Sequence, residues 1–228
     1  MPRLIVLGTG TGVGKTHVTV TLARALAELE PSLRISALKP IETGMGASGD
    51  PSDSDRLGAV ARHVEPTRPH PLYAFAEPLT PYLAAAREGR SIELTAISRW
   101  VASQQPTDGG VWQLIETAGG VFSPLSPSAS NFELAQSLSP AVWVLVAPDA
   151  LGVLHELRAT LEALGARGRL PEHVVLSGAR APDASTGNNA LVLRELGIVS
   201  PSAVLARNSS DLSVWARQLL QQLRRTAT

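Results

Sequence analysis

Gly8-Thr9-Gly10-Thr11-Gly12-Val13-Gly14-Lys15-Thr16 follows the apolar run Leu4-Ile5-Val6-Leu7 and opens an amphipathic segment. These nine residues read as a phosphate-binding loop. Glycines lack a Cβ, so backbone N–H groups can turn inward onto phosphate oxygens, and a helix starting near Val13 aims its positive dipole end at them. Lys15 would bridge the terminal phosphates, and Thr16 offers the hydroxyl that usually holds Mg²⁺ in such loops. Counted back from Gly14, the pattern G-x-x-x-x-G-K-[ST] puts Thr9 where its first glycine belongs, so the loop is a variant. The competing reading, an ordinary glycine-rich turn, loses force where strand, Gly-Lys-Thr and helix occur together.

The flanks extend the pattern along the chain. Leu4 to Leu7 is a continuous apolar run, as expected of a strand buried on both faces of a parallel sheet. Val18, Leu22, Ala25, Leu26 and Leu29 recur at intervals of three and four, marking one face of a helix that ends near Glu30-Pro31. Arg34 to Leu38 is the next strand, and Lys39-Pro40 closes it at the carboxyl edge of the sheet, where α/β folds bind ligands. A Gly/Ser/Asp/Pro-rich loop over 47–53 leads to a helix with Leu57, Val60, Ala61 and Val64 on one face. A proline-rich stretch over 65–82 excludes a regular helix and predicts an excursion over the binding edge. Helices follow at Tyr82 to Arg87 and around Leu94, Ile97, Trp100 and Val101, closed by Gly109-Gly110. Strands are expected at Val111 to Ile115, Ala141 to Ala147, His173 to Leu176 and Ala203 to Leu205. Helices are expected from Leu151 to about Leu164, from Asn188 to Leu196, and over Leu212, Trp215, Leu219 and Leu223. This alternation implies an α/β fold, P-loop NTPase-like, with a mainly parallel sheet covered by helices on both faces, as one domain over residues 1–228.

At 228 residues and 44% hydrophobic composition, the chain has enough material for one large core. Twenty basic residues balance twenty acidic ones, which argues against a bulk nucleic-acid or anionic-membrane binder. Absence of cysteine excludes disulfides and thiolate metal sites. The N-terminal apolar run of four residues is too short for a signal-peptide core, and no stretch is long enough to span a bilayer, so a cytoplasmic location is expected. The five histidines show no ligand spacing; His17, His63 and His70 read as loop or surface residues.

Eighteen of the basic residues are arginine and only two are lysine, Lys15 in the loop and Lys39 before Pro40. An ammonium is a compact point charge that can follow a moving phosphoryl group without demanding a bidentate face. The alternative for Lys39 is a strand-end lysine with its tip in solvent. Asp53 and Asp55 stand at a helix start, where a carboxylate serves equally as a cap or as part of a Mg²⁺ site opposite the loop. Glu116, closing an apolar strand before Thr117-Ala118-Gly119-Gly120, is either a second metal carboxylate or a solvated strand end.

These motifs together resemble the ATP-dependent dethiobiotin synthetases. The variant loop G-T-x-T-x-V-G-K-T is filled from Gly8 to Thr16, and K-P-x-x-[ST]-G stands as Lys39-Pro40-Ile41-Glu42-Thr43-Gly44. The family's Ser-Asp is matched at Ser54-Asp55. Phe75-Ala76-Glu77-Pro78-Leu79-Thr80-Pro81 resembles F-x-E-P-x-[SA]-P-H, with Tyr82 in place of histidine, and E-G-A-G-G is met by Glu116 to Gly120 with Thr117 in place of glycine. The resemblance covers residues 4 to about 164. It implies carboxylation and ring closure of 7,8-diaminopelargonate with carbon dioxide or bicarbonate, at the expense of ATP with Mg²⁺, in a homodimer. Lys15 and Lys39 would be catalytic. Gly12, Val13, Gly14, Lys15, Thr16, His17, Asp55, Glu116, Thr117, Ala118 and Gly119 would bind nucleotide, with Thr16, Asp55 and Glu116 on the metal. Thr11, Thr43, Thr80, Gly152, Val153, Leu154 and His155 would bind substrate, the last four from the other subunit.

Departures begin beyond that. L-G-x-[IL]-N-H reads Leu151-Gly152-Val153-Leu154-His155-Glu156, so Glu156 brings a negative charge to the helix start that receives the substrate carboxylate. The family's Asn-Asp pair after the strand at Val174-Val175-Leu176 is replaced by Ser177-Gly178. Rival readings are a nucleotide switch or partitioning ATPase, a sibling ligase with another substrate, and a catalytically weak paralogue. The switch proteins carry a second lysine just after the first glycine of the loop, and Gly8-Thr9-Gly10 has none.

Overall fold

The computed structural model describes residues 3–45, 51–64, 70–105, 110–178 and 181–225. Its centre is β1 (Arg3–Gly8), from which the glycine-rich loop leads directly into α1 (Lys15–Leu29). β2 (Arg34–Leu38), β3 (Ile41–Thr43), α2 (Asp53–Gly58), β4 (Tyr73–Phe75), α3 (Pro81–Arg87) and α4 (Leu94–Ser103) follow. The second half contains β5 (Val111–Glu116), α5 (Asn131–Ser137), β6 (Val142–Asp149), α6 (Val153–Ala166), β7 (His173–Gly178), α7 (Asn189–Glu195), β8 (Ala203–Leu205) and α8 (Ser213–Arg225). The main sheet is parallel in the order β2-β5-β1-β6-β7-β8. The chain leaves β1 for the outer strand β2, returns through β5, and then crosses to β6 on the other side. β1 therefore lies at the topological switch, and its carboxyl end opens into the crevice where such sheets hold ligands.

Both faces of β1 are buried, which is why its sequence is apolar without alternation. Leu4 and Val6 pack with Val18, Leu22 and Leu26 of α1 and with Trp215 and Leu219 of α8. Ile5 and Leu7 face the opposite layer, which includes Ile97 of α4, Phe132 of α5 and Leu157 of α6. All of these side chains are buried. Leu223 lies outside the described side chains.

Four elements differ from the sequence reading. α2 stops at Gly58 instead of running on to Val64, because Arg62 exchanges backbone hydrogen bonds of 2.8 and 2.9 Å with Ile35 and is drawn to the edge of β2. β3 and β4 form a separate two-stranded parallel sheet that carries the segment after Lys39 and part of the proline-rich stretch. α5 has no counterpart among the expected helices, although Ser130 and Glu133 close a capping box at its start. Residues 46–50, 65–69 and Gly109, within the expected loops, lie outside the described residues.

Candidate active site

Gly14 caps α1 in the left-handed region, with φ of 94°, and a Cβ there would lie 2.1 Å from Ser177 Oγ. Only glycine fits, so the turn that launches α1 is fixed by contact with the end of β7. This geometry sets Lys15 as the first helical residue, further along the chain than the expected start near Val13. The Lys15 ammonium donates to the carbonyls of Gly10 at 3.0 Å and Gly119 at 2.8 Å, tying the loop to the turn after β5. Burial, reinforced by the Lys39 charge and only partly offset by Glu116 and Asp53, lowers its pKa from 10.5 to about 8.

Thr16 Oγ1 donates to Glu116 Oε1 at 2.8 Å. The same carboxylate oxygen accepts from Lys39 Nζ at 2.7 Å, and Lys39 also donates to Asp53 Oδ2 at 2.5 Å. Lys39 is 7% exposed and Glu116 1% exposed, so neither the solvent-tipped lysine nor the solvated strand end describes them. Burial opposes the charge on Lys39, but Glu116 and Asp53 outweigh it and push its pKa up. Burial likewise opposes the charge on Asp53, and Lys39 outweighs it to hold the carboxyl below its ordinary range.

Asp53 lines the cavity facing the loop, whereas Asp55, the carboxylate expected there, is not among its lining residues. The chain carries two Ser-Asp pairs in tandem, and the helix start separates their roles. Asp53 is the first helical residue and lines the cavity. Asp55, two positions on and therefore on the opposite side of the turn, accepts from the Ser52 N–H at 3.2 Å and closes a capping box.

These groups surround a cavity of about 500 Å³ at the carboxyl edge of the sheet. Of the residues expected at the site, it gathers Thr11, Gly12, Gly14, Lys15, Thr16, His17, Lys39, Thr43, Glu116, Ala118 and Gly119. Others lie elsewhere. Val13 sits beneath the loop in the core, and the Thr117 hydroxyl donates to the Val6 carbonyl at 3.1 Å, a structural bond inside the sheet. Thr80 is exposed at the start of α3. Gly152, Val153, Leu154 and His155 begin α6 outside the cavity, with Val153 fully buried in the core. Glu156 accepts a 3.3 Å hydrogen bond from Thr9, so the charge at this helix start is held beside the loop of its own chain. Glu42, Arg56, Ser177 and Arg207 line the cavity without having been expected there. Glu42 stands at a variable position of the Lys-Pro motif, whereas Arg207 has no local signal because β8 brings it in from far along the chain.

Among the described residues there is no group of three or more His, Cys, Asp and Glu side chains placed to hold a metal by themselves. Mg²⁺ beside a nucleotide does not need one, since it takes one or two carboxylates and completes its shell with phosphates and water. The arrangement fits that pattern: buried Glu116 Oε2 has no hydrogen-bond partner, and it belongs to the carboxylate already bonded to Thr16. No helix among the described residues is long and apolar enough to cross a membrane.

A family model described as an AAA domain matches residues 2–211. The chain is 39% identical over 184 residues to the ATP-dependent dethiobiotin synthetase BioD of Anaeromyxobacter sp. (strain Fw109-5), covering 80% of this chain and 79% of that protein. It is 36% identical over 207 residues to the protein of the same name from Anaeromyxobacter dehalogenans (strain 2CP-C), covering 90% of each. Among solved structures it is similar to a ParA family ATPase from Chlorobium tepidum TLS, with TM-score 0.54, 13% identity and coverage of 96% of this chain and 91% of that one. The MinC:MinD cell division protein complex of Aquifex aeolicus gives TM-score 0.51 at 11% identity, covering 96% and 86%. At such identities these two likenesses concern the fold alone.

Proposed function

The chain belongs to the ATP-dependent dethiobiotin synthetases, and on that premise we propose that it closes the cyclic urea of dethiobiotin from 7,8-diaminopelargonate and carbon dioxide, with ATP cleaved to ADP and phosphate. The observation that carries this reading is the convergence of the only two lysines, Lys15 and Lys39, on one cavity with Glu116 and Asp53. Phosphoryl transfer asks for positioning and charge neutralisation more than for a covalent partner, and two point charges at one cleft supply both.

One substrate amine takes up carbon dioxide and loses a proton, giving a carbamate. Lys39 and the Thr43 hydroxyl hold that carbamate, and loop N–H groups from Gly12 to Thr16 hold the triphosphate with Lys15 across its terminal phosphates. A carbamate oxygen attacks the γ-phosphorus as the bond to ADP breaks. The second amine then attacks the carbonyl carbon, phosphate leaves with the former carbamate oxygen, and a proton is released as the ring closes. Thr16, Glu116 and Asp53 would hold Mg²⁺, which when bound neutralises charge on the β- and γ-phosphates. The Lys39 ammonium is pre-placed for its role by the same two carboxylates.

The whole chain acts as one P-loop domain in this reading, in the cytoplasm. A homodimer supplies the Gly152 to His155 helix start from the other subunit; it is supported by Leu151, 84% exposed beside that helix start. A monomer in sedimentation with full activity would refute it. A sibling ligase is the second reading, favoured by Glu156, whose charge at the helix start suits a substrate tail other than a carboxylate. Incubation with ATP, Mg²⁺, ¹⁴C-bicarbonate and 7,8-diaminopelargonate separates the two: the first reading predicts label in the cyclic urea, and phosphate release without labelled product contradicts it.

A further inference from the structure

We infer that Glu42 is a positioning residue that fixes the cation-binding carboxylate Asp53 through the first turn of α2. The inference rests on the reading of a divalent cation at Thr16, Asp53 and Glu116. Glu42 lies on β3, three residues after Lys39, and is 5% exposed. A carboxylate at that depth must be compensated. Its compensation comes from the backbone: Oε1 accepts the Asp53 N–H at 2.6 Å and Oε2 accepts the Ser54 N–H at 3.1 Å. Among the described residues no lysine or arginine forms a salt bridge with it. Among the described residues, the charge therefore serves the helix start.

Those two N–H groups are among the first of α2, which have no partner within the helix. Two caps divide them. Ser52 and Asp55 close the outer side, with Asp55 N–H donating to Ser52 Oγ at 3.1 Å, and Glu42 closes the side toward the cavity. Pinning the Asp53 N–H sets the origin of a side chain that reaches Lys39 Nζ at 2.5 Å. One short segment, Lys39 to Glu42, thus fixes both the ammonium and the backbone of its carboxylate partner. A short carboxylate such as Asp53 has few torsions with which to recover from a shift of its own backbone, so the loss of Glu42 would be felt at the cation.

The test compares the wild-type chain with Glu42→Gln and Glu42→Asp. Glutamine keeps the shape but can accept from only one of the two N–H groups, and aspartate keeps the charge but falls one methylene short. Mn²⁺ binding to the protein–ADP complex, with protein in excess over ADP, is followed by EPR, and ADP binding is measured separately in EDTA. Disturbing the support of a metal ligand typically costs 10–100-fold in affinity, so each variant should raise the Mn²⁺ dissociation constant roughly tenfold or more. ADP binding in EDTA should stay within about twofold, a split that a general loss of structure would not give. Unchanged Mn²⁺ affinity in a folded variant overturns the inference, as does an equal loss of Mn²⁺ and ADP binding, or failure of both variants to fold. If the wild type and Asp53→Asn bind Mn²⁺ equally, the cation reading itself fails, and that outcome is distinct from the others.

Discussion

The Lys39 ammonium lies 2.7 Å from Glu116 Oε1, and both groups are almost completely buried. Strand β2 delivers the cation and β5 the anion, and because these strands are neighbours their carboxyl ends bring the pair together beside the loop after β1. A buried pair of this kind is weak evidence for stability, since desolvating both charges offsets much of their attraction. Its place at the mouth of the phosphate loop points to chemistry instead.

Replacement of Lys39 by arginine should separate binding from turnover. The guanidinium is larger and planar, and the space between Asp53 and Glu116 is filled by an ammonium at 2.5 and 2.7 Å. Lys39→Arg is expected to lower kcat by about 10²-fold or more while ATP affinity stays within about threefold. Parallel losses in nucleotide affinity and kcat, measured by calorimetry and steady-state kinetics, would remove Lys39 from the transition state.

Asp53 and Asp55 should part company on substitution. Asp53→Asn is expected to raise the half-saturating Mg²⁺ concentration at least about tenfold. Asp55→Asn loosens a capping box, costing about 1 kcal/mol, which corresponds to roughly 2–4 °C in a chain of this size, and leaves the Mg²⁺ requirement alone. The reverse pattern would restore Asp55 as the metal carboxylate.

That pair shows where sequence reading reaches its limit. The strand, loop and α1 are legible because the glycine spacing and the continuous apolar run are local and rarely occur together in any other setting. Lys39 and Glu116 are legible as residues at strand ends, yet the bond between them depends on β2 lying beside β5, a non-local fact. Ser52-Asp53-Ser54-Asp55 offers the same dipeptide twice, and only the position of the helix start decides which aspartate faces inward. Arg207 and Ser177 reach the cavity through β8 and β7, with nothing in their neighbours to announce it. In contrast, α5 carries a local signal, Ser130 and Glu133 three residues apart at the head of an apolar stretch, that hydrophobic periodicity alone does not pick out in so short a helix.

Lys15 should make nucleotide binding pH-dependent. In the free chain burial lowers its pKa to about 8, and a bound triphosphate favours the ammonium and raises it. A group whose pKa rises on binding takes up a proton, so affinity is greatest below the free value and falls as pH climbs through it. ATP affinity measured in EDTA should be level up to about pH 7 and fall above about pH 8, by at most tenfold per pH unit. A flat profile to about pH 9.5 would contradict a lowered Lys15.

Base recognition should be permissive. The cavity is also lined by Ser177, Gly178 and Arg207, and a Cβ on Gly178 would lie 2.2 Å from the Arg207 backbone nitrogen. None of these three residues carries a side-chain amide to offer a donor and an acceptor together, whereas a guanidinium can stack on any base. CTP and GTP are expected to support turnover within about tenfold of ATP, because losing one paired contact relaxes discrimination by about 1–3 kcal/mol. Competition kinetics giving a preference for ATP above about a hundredfold would show that other groups read the base.

The path of one oxygen atom tests the account most directly. With ¹⁸O-bicarbonate, 7,8-diaminopelargonate, ATP and Mg²⁺, attack of the carbamate on the γ-phosphorus requires that the released phosphate carry one oxygen derived from bicarbonate. Mass spectrometry should find that single label in wild-type phosphate, formed in step with the cyclic urea. Phosphate whose new oxygen comes only from water would mean that the loop hydrolyses ATP without activating a carbamate, and would contradict the roles given to Lys15 and Lys39.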